Sequence, residues 1–252
     1  LAIVVCAACL PLEPMADCGL RIADSHGRLV AGIALRCAAA ESAVRHPPSA
    51  IDQFPMTIGR LQYNGGGDWY ANPSSLPNLL AAIGERTALV VAERERTVRL
   101  TDPTLWDVPY LYMTGHGNVS FSAEEQSLLR RYLESGGFLH ADDNYGLDQS
   151  FRREIGRVFP DHPLVEVPLD HPVYHLIYAF PNGIPKIHEH DGKPAQGFGI
   201  FLGGRLVVYY SYETDLGDGW EDPLVHNDPP DKREAALRMG VNLFAYAVST
   251  GR

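Results

Sequence analysis

From residue 54 to about residue 160 the chain repeats one unit: a short apolar run, a polar loop, then a stretch of helical periodicity. Strand–helix–strand alternation returns the chain in the same direction each time. It therefore predicts a largely parallel sheet with helices on both faces. The first strand falls in FPMTIGRLQY, residues 54–63, through Met56, Ile58 and Leu61. Leu76, Leu79, Leu80 and Ile83 then share one face of a helix, with Gly84 as its expected stop. TVRLTD is a short strand candidate, and VPYLYMTGHGN, residues 108–118, a stronger one. Ser122 and Glu125 have capping-box spacing and open a helix whose stripe is Leu128, Leu129, Tyr132 and Leu133. Gly136–Gly137 ends it, because glycine accepts the left-handed cap. FLHADD is the next strand and LDQSFRREIGRVF the next helix. Later, GFGIFLGGRLVVYYSY splits at Gly203–Gly204 into a β-hairpin. DKREAALRMGVNLFAYAV closes the chain as a helix, with Ala236, Met239, Gly240, Leu243, Phe244 and Ala247 at core spacing. Residues 51–252 read as a single α/β domain.

Charge and cysteine usage narrow the function. The net charge of −10 and the absence of a basic stripe argue against nucleic acid as a partner. Arg130–Arg131 and Arg152–Arg153 read as solvated helix faces. All four cysteines, Cys6, Cys9, Cys18 and Cys37, precede the alternating region, which excludes a thiol nucleophile or thiolate metal site from it. The spacing Cys6-Ala-Ala-Cys9 lacks a strand–turn–helix setting and reads as coincidence. No apolar run is long enough for an integral membrane span. Residues 1–50 are poorly defined: an overextended start, or a degraded export signal around GRLVAGIALRCAAAESA, interrupted by Arg36. Export to a periplasm or envelope is one expectation and the cytoplasm the other.

In open parallel sheets ligands bind beyond the carboxyl ends of the strands. Here those ends are polar. The first leads to Asp68, Trp69 and Tyr70, and the next to His116 and Asn118. The third leads to Asp142, Asp143 and Tyr145, and the hairpin to Glu213, Asp215, Asp218 and Trp220. Turn chemistry explains each acid singly, since Asp and Asn bond their own backbone. Their gathering at one rim favours a site. Adjacent strand residues face opposite sides, so only one of Asp142 and Asp143 can point into a pocket. Two near carboxylates also repel, which raises one pKa and offers an acid/base pair. Asp142 and Asp143 are thus the candidate catalytic acids, with His116 or Glu213 as partner. Asp68, Trp69, Tyr70, Asn118, Tyr145, Asp215, Asp218 and Trp220 are the candidate ligand-binding residues. Rings beside carboxylates suit a carbohydrate or other small polar ligand. Carboxylates with a histidine suit a divalent metal ion that activates water. HEHDG places His188 and His190 on one side of a strand, beside Asp191, where they could share a metal. A structural or solvent-facing role is the preferred reading of that spacing. His171 and His175 read as packing or turn residues, and His226 lies before the last helix, with Asp228 and Asp231 as its candidate caps. Three functions remain open: a hydrolase with an acidic, metal-assisted site, a non-catalytic domain for a carbohydrate or cell-envelope ligand, or an interaction domain with no small ligand.

The segments IGRLQYNGGGDWYANPSSLPNLL, YLYMTGHGNVSFSAEE, RRYLESGGFLHADDNYG and YYSYETDLGDGWEDPLVHNDPPDKREAALRMGVN resemble the bacterial DUF4159 family over residues 54–249. The resemblance implies a flavodoxin-like sheet of the class I glutamine-amidotransferase-like (ThuA-like) kind. In class I amidotransferases the strand after the GG turn delivers a cysteine nucleophile. FLHADDNYG stands in the similar place without one, and VVYYSYETD, similar to the strand that delivers the catalytic histidine, has none either. The resemblance therefore implies a kept site with changed chemistry, not a cysteine-dependent amidotransferase.

Overall fold

The computed structural model describes residues 55–251 and two further strands, β1 (Gly19–Ala23) and β2 (Leu29–Ala34). The chain divides into two compact units, residues 1–47 and 48–252. In the first, β1 and β2 pair antiparallel. Part of the stretch resembling an export signal is thus a strand. Cys6-Ala-Ala-Cys9 lies outside the described residues.

The second unit runs β3 (Ile58–Leu61), α1 (Ser75–Arg86), β4 (Arg96–Val98), β5 (Tyr110–Met113), α2 (Ala123–Glu134), β6 (Phe138–Asp142) and α3 (Asp148–Val158). It continues through β7 (Val165–Glu166), β8 (Gln196–Leu202), β9 (Arg205–Tyr212), α4 (Leu216–Trp220), α5 (Pro223–His226) and α6 (Pro230–Thr250). Its sheet has seven strands in the order β4-β3-β5-β6-β9-β8-β7. The first five are mutually parallel. Counted along the chain, they lie in the flavodoxin-like order 2-1-3-4-5, with the switch point between β3 and β5. The hairpin β8–β9 and the short β7 extend the sheet antiparallel.

Strand alternation divides the core in two. From β5, Tyr110 and Tyr112 pack under α1 and α6, while Leu111 and Met113 pack under α2 and α3. Phe138 and Leu139 of β6 part in the same way. The capping box of α2 forms: Glu125 N–H donates to Ser122 Oγ at 3.2 Å and Ser122 N–H to Glu125 Oε2 at 2.7 Å. The hairpin turns at Gly203 and Gly204 with φ of 56° and 86°, the left-handed pair of a type I′ turn. Two expectations shift. Helix α1 runs through Gly84 to Arg86, because Thr87 provides the cap, its N–H and Oγ1 both bonding Ile83 O. Asp228 does not cap α6, whose N-cap is Pro229. Among the described residues no helix is long and apolar enough to cross a membrane.

Candidate metal centre

The loops beyond β3, β5, β6 and β9 meet at one rim. Tyr63 hydroxyl donates to Thr114 O at 3.0 Å, which ties the first two together. Asp68 accepts from the His116 backbone N–H and lies 3.0 Å from His116 Nδ1. Asn144 Nδ2 reaches Asn72 Oδ1 at 3.4 Å, and Asn72 Nδ2 donates to Asp218 Oδ1 at 2.5 Å. Arg60, almost buried on β3, fixes Asn72 by donating to Ala71 O at 2.7 Å and Asn72 O at 3.1 Å.

Beyond β9 the chain enters the short α4, and its acids meet a loop from far upstream. Ile187 N–H donates to Thr214 O at 2.9 Å, and Lys232 of α6 holds Ile187 O at 2.7 Å. This places His188 Nδ1 3.0 Å from Asp218 Oδ2 and 3.2 Å from Asp215 Oδ2. His188 Nε2 faces Asp228 at 3.0 Å. His226, at the end of α5, brings Nε2 to 3.6 Å from Asp218 Oδ2. One ligand atom from each of His188, Asp218 and His226 lies within 4.8 Å of the others. Metal–ligand bonds of about 2.0–2.1 Å in a tetrahedron separate neighbouring ligand atoms by roughly 3.3 Å, which these spacings bracket. His190 stands beside them, its Nε2 2.6 Å from Asp215 Oδ2.

The electrostatics suit a cation. Hydrogen bonds to Asp215 and Asp218 push the His188 pKa up to about 10. Burial raises Asp218, but the His188 hydrogen bond and the His226 charge prevail, and its carboxyl stays below the usual range. A divalent ion at Nδ1 would have to displace that proton, because a ligating imidazole is neutral. The backbone is also strained here. Among the described residues five non-glycine residues hold positive φ: Asn72, Tyr145, Glu213, Asp215 and Asn227. All five lie in the loops around this centre. Such conformations cost of order 1–3 kcal/mol each and gather at functional sites.

The expected residues divide. Asp215, Asp218, His188 and His190 come together, although His188 and His190 lie on a loop and not on a strand. Asp191 is exposed, pairs with Lys193 at 3.4 Å, and is not one of the clustered acids. Asp142 and Asp143 do face opposite sides, but they are not a repelling pair. Asp142 is fully buried beneath α1 and α6, accepting from Ser211 Oγ, Tyr112 hydroxyl at 3.1 Å, Leu216 N–H at 3.3 Å and Gly217 N–H at 2.7 Å. Burial lifts its pKa to about 7. It anchors α4 and does not open to solvent. Trp220 is likewise no platform: it is fully buried and donates Nε1–H to Ala236 O at 2.8 Å. Asn118 braces loops, giving Nδ2–H to Gly65 O and accepting from Arg153. Trp69 is partly buried against the core and meets exposed Tyr70 edge-on at 5.5 Å.

Asp143 and Glu213 instead line a cleft of about 380 Å³ with Tyr145, Asp148, Lys193 and Tyr212. Burial raises the Asp143 pKa. Glu213 pairs with Lys186 at 3.4 Å. The cleft adjoins the histidines, since the Tyr145 ring lies 5.0 Å from that of His190. A hollow of about 430 Å³ at the amino edge of the sheet, lined by Met56, Leu89, Trp106 and Val108, holds one carboxylate, Asp107. His226 and Asp228 are the participants that sequence reasoning missed. Their only signal is the polar string VHND between two prolines.

Residues 57–248 match the model of the DUF4159 family, a domain of unknown function. The chain belongs to the DUF4159 family. Among curated proteins, none matches it in sequence. All the residues of the candidate centre and the cleft lie inside the DUF4159 match.

Proposed function

We propose that this DUF4159 chain is a metal-assisted hydrolase acting on a small polar substrate at the carboxyl edge of its sheet. The observation that carries the reading is the convergence of His188, Asp218 and His226 from separate segments. Two histidines and one carboxylate are a donor set for zinc-like or iron-like divalent ions that leaves coordination positions open. A bound ion would supply a water whose pKa falls toward neutrality. The chain supplies the rest. Asp228 orients His188 through Nε2, as carboxylates behind metal-bound histidines do, and Asn72 orients Asp218. Asp143, with its raised pKa, is the acid–base group beside the cleft, a role that buried Asp142 does not share. His116, held at Nδ1 by Asp68, is a second such group at the rim. The strand order also fits descent from a class I glutamine-amidotransferase-like fold, with the Asp142–Asp143 turn in the place of the nucleophile.

A panel of nitrophenyl esters and glycosides, assayed with manganese(II), tests the reading. Turnover by the wild type that falls about 100-fold or more in Asp218→Asn and His226→Ala supports it. Turnover indifferent to both variants and to chelation sinks it. Tyr145, half exposed beside the cleft carboxylates, favours a second reading as a binding domain for a polyol. Sugar binding by calorimetry without turnover of any substrate would decide for that.

A further inference from the structure

We propose that the centre holds two metal ions, the second on Asp215 and His190. The proposal rests on the metal-centre reading for its first ion and goes beyond it for its second. Asp215 is only 1% exposed. Its Oδ2 lies 2.6 Å from His190 Nε2 and 3.2 Å from His188 Nδ1, so the carboxylate stands between the two histidines. Its Oδ1 is buried and has no hydrogen-bond partner. His190 Nε2 is also buried and, despite its nearness to Asp215, makes no contact of hydrogen-bond geometry. A buried carboxylate oxygen or ring nitrogen without a partner is destabilising. The orphaned acceptor and the orphaned ring nitrogen thus belong to two side chains in direct contact, Asp215 and His190. One divalent ion satisfies both.

The backbone and the charge agree. Asp215 is held at φ 59°, two residues after Glu213 at 57°. Neither is a glycine, so the turn after β9 stores strain to aim these carboxylates. Asp215, Asp218, Asp228 and Glu221 gather around the histidines, and among the described residues no Lys or Arg side chain forms an ion pair with any of them. The nearby lysines are committed elsewhere: Lys186 pairs with Glu189 and Glu213, and Lys193 with Asp191 and Glu213. Four carboxylates beside imidazoles that are neutral when they ligate leave negative charge that a single divalent ion does not balance. Two ions about 3.5–4 Å apart, bridged by a carboxylate, form a recurrent hydrolytic arrangement. Asp215 is the residue placed to bridge.

Manganese(II) is the suitable probe, because it disfavours the thiolates of the cysteines near the amino terminus. Free manganese is counted by its paramagnetic resonance during titration of the full chain. Two ions bound per wild-type chain, with a spin-coupled signal, and one uncoupled ion in both Asp215→Asn and His190→Ala, is the expected result. His190 is partly exposed, so its truncation leaves the core packing intact. One ion in the wild type, unchanged in His190→Ala, overturns the second ion and leaves the first standing. No bound ion in the wild type overturns both.

Discussion

His140 and Asp142 make opposing contributions to the pH response of the fold. His140 is fully buried on β6, with Nδ1 2.9 Å from Tyr110 hydroxyl and Nε2 2.8 Å from Ser211 Oγ, which in turn bonds Asp142. Burial lowers the His140 pKa from 6.5 to about 3. Between those values the unfolded chain takes a proton that the folded chain refuses, so stability falls as pH drops. Asp142 runs the other way. Its pKa rises from 3.8 to about 7, the folded chain keeps a proton that the unfolded chain releases, and stability falls as pH rises. The two slopes oppose each other between pH 3.8 and 6.5. Replacing His140→Gln leaves the Asp142 slope alone. Urea melts from pH 6.5 to pH 4.5 should show the variant gaining about 1.4 kcal/mol per pH unit relative to wild type. Parallel profiles for the two proteins would refute the assignment. None of this was legible in FLHADD as a sequence. Alternation shows that adjacent acids part, but not which one the flanking helices cover. Likewise His226 read only as a residue before the last helix, because only the fold brings it against Asp218 from the other side of a proline-flanked loop.

At the scale of the element, long periodic segments were legible and short ones were not. Helices α2, α3 and α6 carry two or more turns of apolar repeat, and the Ser122–Glu125 box marks one start outright. Helix α4 has five residues and α5 four, too few for a 3.6-residue period to register. Yet α4 positions Asp215 and Asp218. It docks by giving two backbone N–H groups to Asp142. The approach is close: a Cβ on Gly217 would overlap Tyr112 hydroxyl and lie 3.0 Å from Asp142 Oδ2. Gly217→Ala should therefore cost about 1–3 kcal/mol, as overpacked sites do. It should also weaken manganese binding, because Asp218 shifts with the helix. Ser122→Ala, on the other face of the sheet, should cost about 1 kcal/mol and leave manganese binding unchanged. Thermal melts beside metal titrations check both. Equal loss of affinity in the two variants would show that affinity follows global stability and not the seating of α4.

Over the whole molecule, the centre joins pieces that no single element holds together. Asn72 follows β3, His188 precedes β8, Asp218 lies in α4, and His226 ends α5. Packing of these separate elements, together with the contacts between their carboxylates and imidazoles, assembles the centre. The unfolded chain has no such arrangement, so ion binding there adds directly to folding stability. At an ion concentration 100 times the dissociation constant the gain is about 2.7 kcal/mol. For a chain of this size that raises the melting temperature by roughly 5–10 °C. Manganese should produce that rise in the wild type, and a chelator should reverse it. His226→Ala should lose the share of that rise that comes from the ion on His188, Asp218 and His226, with little change in metal-free melting, since His226 lies at the exposed end of α5 and supports no core. If His226→Ala instead keeps the full manganese shift, the stabilising ion sits elsewhere, and the convergence of His188, Asp218 and His226 is an ion-pair network of the surface.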